Sequence, residues 1–369
     1  PAAAADEEVE IAGARAMLPL GVSELRGTSH CGRDLLRVIP LTRWDVEQAA
    51  LHLVGSPAEV ASRVRHGGFL CDAELFEHGF FGISAAEAAA MDPQQRQLLE
   101  CGYSALRAAG ASKAALAGAA VGVHVGQWAS EFGGVLLGTA AGRSVYASTG
   151  FSCSVTCGRV SFALGLHGPC AAYDTACSAS LVAHHGSVRG LQRVECASGL
   201  SAGVNMILEP SAMRGNALAG FTSVRGRSHT FDARADGYAR GEAIGALACR
   251  LGMGDAAVPS RGARTVGSAV RQDGRSASLT APNGQAQQGV LGASLADARL
   301  GAEEVAALEA HGTGTALGDP IEAGAIAAVF ALAHREGAER TVSAGSLKAN
   351  AGHTEPGAGL AGALKLLMQ

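Results

Sequence analysis

The sequence predicts an α/β fold in which helices pack against buried β-sheets. Three apolar segments, HGPCAAYD, VAALEAH and TVSAGSL, have the character of strands, and each is followed by a loop and then a helical segment. Strands that alternate with helices are typical of α/β layers. The chain has 369 residues, of which 48% are hydrophobic. This length and composition are enough for one large domain or about two smaller ones.

The elements before the first of these segments follow from local signals. VEIAGARAMLP predicts a strand and a turn, and AAVGVHVGQ predicts a second strand. Between them, FFGISAAEAAAMDPQQRQLLECGYSALRAAG predicts two helices that are interrupted near Met91. Ser84 and Glu87 have the spacing of a capping box at the first helix. Asp92 and Pro93 suit the N-cap and first position of the second helix.

Each of the three later strands leads into a predicted helix. SASLVAHHGSVRGLQ begins its first turn directly after Cys177, and DPIEAGAIAAVFALAHR opens on Asp319 and Pro320. LAGALKLL is the third helix. We expect the small residues Gly357, Gly359 and Gly362 at its start to allow close helix packing, besides forming the helix entry.

Charge and hydropathy exclude several classes of protein. The formal net charge is −4 and no basic block occurs, so we expect no nucleic-acid partner. The longest stretch without charged residues, 114–130, contains glycines, His124 and Gln127, and predicts a buried strand with its flanks, not a transmembrane segment. No signal peptide is visible at the N-terminus.

Nine cysteines, an odd number without paired CxxC spacing, indicate a reducing compartment and no disulfide framework. Cys153 and Cys157 are four residues apart, as in half of a metal site. We interpret them, and Cys170, as small buried residues, which cysteines commonly are.

The motif DTACSAS places Cys177 between a strand and a helix. The positive end of a helix dipole and nearby N–H groups stabilise a thiolate, which predicts that Cys177 is the most reactive of the nine thiols. Its small neighbours leave room for an acyl group. The alternative at this stage is a buried structural cysteine.

The motif EAHGTGTALGDP places His311 at the end of a strand, before alternating glycines and threonines. Glycines allow the backbone to approach a ligand, and threonine hydroxyls can donate hydrogen bonds to it. A dinucleotide loop is the alternative. However, Gly312, Gly314 and Gly318 miss its fingerprint spacing by one residue, and no acidic residue ends a strand at the required distance downstream.

The motif LKANAGHTEPGAG places His353 five residues after Lys348, although a helix entry with an incidental histidine would look the same. One cysteine and two histidines on three strand-to-helix loops make a stronger case together, because such loops commonly bind ligands in α/β folds. Cysteine–histidine systems perform acyl transfer. Two histidines facing one cysteine favour stabilisation of charge on a second acyl group.

These three motifs resemble the catalytic loops of β-ketoacyl synthases, and specifically the ketosynthase domains of modular-type polyketide synthases. Two further segments, GGFLCDAELFEHGFFGISAAEAAAMDPQQRQLLE and QDGRSASLTAPNGQAQQ, are similar to the N-terminal signature and the substrate-side loop of that family. The resemblance covers about residues 9–369. Residues 1–8 are expected to form a linker or frayed end.

The resemblance implies a thiolase-like fold of five layers, α-β-α-β-α, built from two similar halves and usually assembled as a homodimer. The N-terminal half is expected to span about 9–255 and the C-terminal half about 256–369. Because the chain begins with proline and lacks the family's Gly-Phe-Gly-Gly loop at its end, we expect it to be a C-terminally truncated fragment of a longer chain. Expressed alone, such a fragment is expected to be poorly soluble and weakly active.

The resemblance also implies roles for residues. Cys177 is the implied acyl-accepting nucleophile, and His311 and His353 support decarboxylation of a malonyl extender. Lys348 is implied to order the site together with Glu322. The two threonines of GTGT, Thr313 and Thr315, are implied to form hydrogen bonds with a phosphopantetheine arm.

The implied reaction is β-ketoacyl synthesis by decarboxylative condensation, in polyketide or fatty-acid biosynthesis. The expected partners are an acyl carrier protein with its acyl and malonyl thioesters. No cofactor is expected to be bound permanently, since phosphopantetheine arrives on the carrier, and no metal is expected. The expected location is the cytoplasm, or a plastid if a transit peptide lies upstream.

Some residues depart from the family pattern. Ala179 and Arg271 stand where serine and asparagine are more usual, and Cys170 and Tyr173 replace valine-like residues.

Two other classes of protein are alternatives to an elongating ketosynthase. One is a thiolase or chain-initiating synthase, which needs a second cysteine or a Cys-His-Asn set, and the other is a non-condensing scaffold. Such a scaffold typically lacks the cysteine, so the presence of Cys177 and both histidines favours the elongating enzyme.

Overall fold

The computed structural model describes residues 8–19, 32–51, 58–252, 262–330 and 342–368. Of the expected linker 1–8, only Glu8 lies within these ranges. The strands within the described residues are β1 Val9–Met17, β2 Arg37–Val38, β3 His66–Gly68, β4 Val121–Gly126, β5 Cys170–Tyr173, β6 Ser198–Asn205, β7 Arg240–Gly241, β8 Ala243–Leu251, β9 Arg264–Thr265, β10 Ala307–Glu309 and β11 Ser343–Gly345.

The α-helices of the same ranges are named in chain order. They are α1 Val46–Leu51, α2 Ala58–Arg63, α3 Ala85–Ala90, α4 Pro93–Ala108, α5 Lys113–Leu116, α6 Phe132–Leu137, α7 Ala147–Gly150, α8 Cys153–Leu164, α9 Ala179–Gln192, α10 Pro210–Leu218, α11 Gly284–Ala298, α12 Gly318–Phe330, α13 Lys348–Ala351 and α14 Ala358–Met368. None of these helices is both long and apolar enough to cross a membrane.

A six-stranded mixed sheet forms the centre, in the order β5-β4-β6-β8-β1-β9. Strand β4 runs parallel to β5 and β6, whereas β8 is antiparallel to both β6 and β1. Helices α4 and α8 cover one face of this sheet, and α9 and α14 cover the other. A separate hydrophobic cluster fills each side.

A second, parallel sheet lies beyond the α9 and α14 layer. It pairs β10 with β11, and α14 contacts both β10 and the central sheet. Helices α11 and α12 pack against each other in the same part of the chain. This arrangement places the loops after β5, β10 and β11 around one end of the α9 and α14 layer.

The predicted elements are present where the structure describes the chain. The two N-terminal helices are interrupted at Met91, and the Asp92 carboxylate caps α4 by accepting the N–H of Gln94 at 2.7 Å. The capping box is only half formed: Ser84 accepts the N–H of Glu87 at 3.2 Å, but the Glu87 carboxylate binds Arg159 of α8 instead. Residues 331–335 of the predicted helix DPIEAGAIAAVFALAHR lie outside the described ranges.

Several long elements were absent from the sequence-based assignment, including β6, β8, α8 and α10. The segments SGLSAGVN and AIGALACRL are rich in glycine and alanine, which have low strand propensity. Both strands are almost completely buried at the centre of the sheet, so tertiary packing decides their conformation. Helix α11 also begins within the predicted substrate-side loop, at Gly284.

The helix entry at 357–362 packs as closely as its small residues predict. A Cβ atom at Gly359 would overlap the side chain of Leu181, and one at Gly362 would lie 2.7 Å from Cγ of Glu309. These contacts hold α14 against α9 on one side and β10 on the other.

Replacing Gly126 with alanine tests the close contact between β4 and α9. A Cβ atom there would overlap the backbone nitrogen of Ser180, so we expect a loss of about 1–3 kcal/mol in the free energy of unfolding. Gly158→Ala in α8 is the control, because nothing lies within 4 Å of its added methyl group. Urea unfolding of both variants makes the comparison, and equal stabilities would show that β4 and α9 can separate at no cost.

Candidate active site

Cys177 lies in a sharp connection between β5 and α9. A single 3₁₀ turn, Ala176–Ser178, separates the two elements. Ala176 has a φ of 51°, a left-handed conformation that is costly for any residue except glycine. The Asp174 carboxylate accepts the Ala176 N–H at 3.2 Å and supports this turn. The connection therefore presents Cys177 at the start of α9, as the sequence predicts.

His353 is fixed beside Cys177 through its backbone. Its N–H donates to the Ala239 carbonyl at 2.7 Å, and its carbonyl accepts the Gly241 N–H at 2.8 Å. Its Nε2 atom lies 3.1 Å from Cys177 Sγ. The Glu355 N–H donates to Nδ1 at 3.1 Å. Because Nδ1 is an acceptor, the neutral ring carries its hydrogen on Nε2 and directs it at the Cys177 sulfur.

His311 reaches the same place from the loop after β10. The Glu322 carboxylate holds this loop by accepting the N–H groups of His311 at 2.5 Å and Gly312 at 2.7 Å. The His311 ring packs edge-on against His353, with 5.4 Å between ring centroids. Cys177 Sγ and one nitrogen of each imidazole all lie within 4.8 Å of one another. The three predicted residues thus form one cluster, close enough in distance alone to share a metal ion.

The environment keeps both imidazoles neutral. Burial lowers the pKa of His353 well below its usual value, and the Lys348 ammonium lowers it further. His311 is more exposed than His353, but the groups packed around it still lower its pKa, with Lys348 again contributing. The two rings can therefore donate hydrogen bonds at neutral pH without carrying charge.

The protonation state of Cys177 differs from the sequence-based expectation. Burial raises the pKa of the thiol to about 11, and the Glu355 carboxylate contributes in the same direction. Lys348 and the N–H of Cys177 itself act oppositely but more weakly. The helix N-terminus therefore does not by itself make Cys177 a thiolate in the resting protein.

Lys348 and Glu322 act on the site from separate positions. Burial lowers the pKa of Lys348, which begins the short helix α13, while Glu309 and then Glu322 oppose this effect. Within the described ranges no ion pair joins its ammonium to a carboxylate. Glu322 instead orders the backbone of the His311 loop, and Lys348 contributes positive charge near both imidazoles.

A buried ionic network behind His353 was missed from sequence. Arg240 is 0% exposed and donates to the Glu355 carboxylate at 2.7 and 2.8 Å and to Glu131 at 2.7 Å. Asn205 donates to the same Glu355 carboxylate at 2.9 Å. In the sequence, this network is visible only as charged residues in the segments GYARGEA and HTEPG. Nothing in either segment indicates that the two interact.

The predicted phosphopantetheine contacts lie in the loop after His311. The Thr313 and Thr315 hydroxyls are 3.2 Å apart. The Asp319 carboxylate accepts the N–H groups of Gly314 and Thr315, which fixes the loop. Thr315 also lines a cavity of about 360 Å³ together with Phe231.

A larger cavity, of about 870 Å³, lies beside the Cys177 turn. Thr175 and Ser178, which flank Cys177, form one wall. The segment predicted as the substrate-side loop, including Asp273 and Arg275, forms another, together with Arg271 directly before it. Space for a substrate group is therefore present beside the turn that carries Cys177, although Cys177 itself does not line this cavity.

Comparison with known proteins agrees with this site. Residues 6–249 match the family model "Beta-ketoacyl synthase, N-terminal domain", and residues 262–369 match "Beta-ketoacyl synthase, C-terminal domain". The chain therefore belongs to the β-ketoacyl synthase family, as its motifs predict. The curated relatives that it matches include polyketide synthases.

Two curated relatives illustrate this assignment. Polyketide synthase GfsB of Streptomyces halstedii is 43% identical over 99% of this chain, which covers 7% of that protein. Pikromycin polyketide synthase component PikAII of Streptomyces venezuelae is 42% identical over 98% of this chain, which covers 10% of it. The chain thus spans only a small part of these relatives.

Solved structures confirm the thiolase-like α/β fold. The ketosynthase from module 6 of the bacillaene synthase of Bacillus subtilis 168 superposes with a TM-score of 0.85 at 32% identity, covering 98% of this chain and 61% of that one. The oxazolomycin ketosynthase domain OzmH KS7 of Streptomyces albus JA3453 superposes with a TM-score of 0.87 at 31% identity, covering 98% of this chain and 64% of that one.

Proposed function

We propose that this chain catalyses decarboxylative Claisen condensation between an acyl group on Cys177 and a malonyl group on an acyl carrier protein. The observation that carries the proposal is one thiol within 4.8 Å of two neutral imidazoles. A hydrolytic cysteine enzyme needs one histidine as base and a group that orients it. Two neutral donors are suited to stabilising negative charge on a second substrate.

The same geometry favours covalent catalysis over a metal centre. The Nε2 atom of His353 that faces Cys177 carries the hydrogen, because Nδ1 accepts the Glu355 N–H. A protonated ring nitrogen has no lone pair for a metal ion. The inward-facing atom of His353 is thus a donor in the resting site.

In the first step, Cys177 takes the acyl group from a carrier thioester. The His353 Nε2–H stabilises the thiolate, which offsets part of the cost that burial imposes on it. The sulfur attacks the thioester carbonyl, and N–H groups at the start of α9, including that of Cys177, hold the oxyanion. The carrier thiolate leaves and takes up the proton that Cys177 released.

In the second step, a malonyl thioester replaces the first carrier. His311 and His353 donate hydrogen bonds to its thioester oxygen, so the electron pair released with CO₂ is held as an enolate. The enolate carbon attacks the acyl carbonyl on Cys177, the C–S bond breaks, and the sulfur leaves as a thiolate. The carrier retains a β-ketoacyl thioester. Exclusion of water protects the acyl enzyme from hydrolysis.

The remaining predicted residues support these steps. Lys348 disfavours protonation of both imidazoles, and Glu322 orders the loop that carries His311. We propose that Thr313 and Thr315 bind the phosphopantetheine arm of the carrier, which brings its own prosthetic group. The polyketide synthase relatives favour polyketide over fatty-acid biosynthesis.

Family membership also supports a homodimer. Light scattering coupled to size-exclusion chromatography measures the molar mass directly, and a mass of one chain would contradict this assembly. The alternative of a non-condensing scaffold is not favoured, because Cys177 and both histidines are present and correctly grouped. The compartment in which the enzyme works is proposed to be the cytoplasm.

Alanine at His311 or His353 tests the division between the two steps. Each variant is expected to accept an acyl group on Cys177 but to decarboxylate the malonyl carrier about 100- to 1,000-fold more slowly, the usual effect of losing one such donor. Intact-protein mass spectrometry measures acyl loading, and release of labelled CO₂ measures the second step.

His167→Ala is the matched control, because His167 is exposed and lies before β5, outside all three loops. It should leave both steps unchanged. If His311→Ala and His353→Ala released CO₂ at the parent rate, the proposed role of the imidazoles would be wrong.

A further inference from the structure

The larger cavity, of about 870 Å³, begins one residue away from Cys177. The Ser178 hydroxyl lies 2.9 Å from both the carbonyl oxygen and the hydroxyl oxygen of Thr175, and these two residues line the cavity together. Val182, one helical turn further along α9, continues the same wall. Since Cys177 is bonded directly to Ser178, an acyl chain attached to its sulfur is within reach of this space.

The opposite wall of the cavity carries two arginines without partners. Arg271 and Arg275 line it and are exposed. Among the residues that the structure describes, neither guanidinium donates a hydrogen bond or forms an ion pair. Asp273 lies between them in the chain, but its carboxylate accepts the N–H of Asn283 at 3.1 Å. Two cationic groups are therefore available to a ligand in this cavity.

The smaller cavity has the opposite character. Its charged lining residues are Asp232 and Asp319, and no arginine or lysine stands among the described residues that line it. Both carboxylates already have partners, since Asp232 pairs with Arg234 and Asp319 accepts the N–H groups of Gly314 and Thr315. An anionic group is therefore favoured in the larger cavity and disfavoured in the smaller one.

We propose that the larger cavity binds acyl groups that end in a carboxylate, and that Arg271 and Arg275 hold this carboxylate. The inference rests on the proposed function, in which Cys177 carries the acyl chain. A guanidinium stays charged at neutral pH, and its planar fork binds a carboxylate through two parallel hydrogen bonds. The apolar side chains of Val182 and Val270 line the same cavity and suit the methylene groups between the two ends of the chain.

Arg271 makes this preference a property of the individual chain. It occupies a position where asparagine is more usual in the family, and an asparagine would offer hydrogen bonds without charge. We therefore expect Arg271 to determine specificity more than Arg275 does.

Binding to the Cys177→Ala protein tests the inference without any reaction. The probes are N-acetylcysteamine thioesters of succinic, adipic and suberic acid, each compared with the methyl ester of its free end, which is similar in length but uncharged. At the chain length that reaches the arginines, we expect the acid to bind about three- to tenfold more tightly, because solvent screens part of the attraction. Added salt should weaken this preference. Ligand-observed NMR titration provides the measurement.

Variants of the two arginines identify the binding groups. Arg271→Asn and Arg275→Gln should each reduce the preference for the acid, whereas Arg271→Lys, which keeps the charge, should retain part of it. Arg107→Gln is the matched control, because Arg107 is exposed at the end of α4, on the other face of the central sheet from α9. Its preference should equal that of Cys177→Ala alone. The proposal would be overturned if acid and ester bound equally at every chain length, or if neither Arg271→Asn nor Arg275→Gln changed the preference.

Acyl loading of the parent protein separates this inference from the proposed function. Peptide mapping is needed to assign the acyl group, because Cys170 is exposed, contrary to its interpretation as a small buried residue. Faster loading of Cys177 by the acid than by the ester would support both proposals, and equal rates would support acyl transfer but contradict the selection. If no thioester acylated Cys177, the proposed acyl transfer would be wrong, and the binding comparison would still decide what the cavity prefers.

Discussion

Replacing Cys177 with alanine is expected to abolish acyl loading and to reduce condensation by about 10⁶-fold, the scale of loss when an enzyme's nucleophile is removed. The reason is that no other described thiol lies within reach of the two imidazoles. Because His311 and His353 remain in place, the variant should still release CO₂ from a malonyl carrier. Mass spectrometry of the protein after incubation with an acyl thioester measures loading.

The control for this variant is Cys71→Ala, which removes an exposed thiol from another part of the surface. It should load acyl groups at the parent rate. Acyl adducts that persist in Cys177→Ala at the parent level would assign the nucleophile to a different residue. If the variant lost both acyl loading and CO₂ release, the alanine would be disturbing the histidines as well.

Replacing Arg240 with methionine is expected to lower the free energy of unfolding by about 3–5 kcal/mol, as breaking one side of a buried ion pair commonly does. Arg240 is fully buried between Glu355 and Glu131, so its loss leaves two carboxylates without their cation. Urea unfolding followed by circular dichroism provides the measurement.

Arg234→Ala is the comparison for this effect. Arg234 pairs with Asp232 at the surface, where solvent screens the attraction, so we expect its loss to have little effect on stability. If the two variants were equally stable, the buried ionic network would contribute little to the free energy of unfolding. Since Glu355 also positions the Nδ1 side of His353, Arg240→Met is expected to slow decarboxylation more than acyl loading.

Several local features were predictable because adjacent residues decide them. The cap formed by Asp92 and the helix start at Pro93 depend on residues two positions apart. The strand-to-helix loops that carry Cys177, His311 and His353 are marked by polar and glycine residues between apolar segments. Their motifs were specific enough to indicate the family as well.

Other features depended on partners far away in the chain. Glu87 has the right spacing for a capping box, but Arg159, 72 residues later, takes its carboxylate. The central strands β6 and β8 consist of small residues with low strand propensity, and burial on both faces fixes them. Local rules fail at such positions because long-range contacts outweigh them.

The sequence by itself determined the family, the three loops and the chemical types of the residues on them, since these are properties of short contiguous segments. The tertiary structure decided the distances and the protonation states. Burial raises the pKa of Cys177 despite its place at a helix start, and Arg240 finds Glu355 across 115 residues. Desolvation and buried ion pairs depend on every group that packs around a site, and only the folded chain brings those groups together.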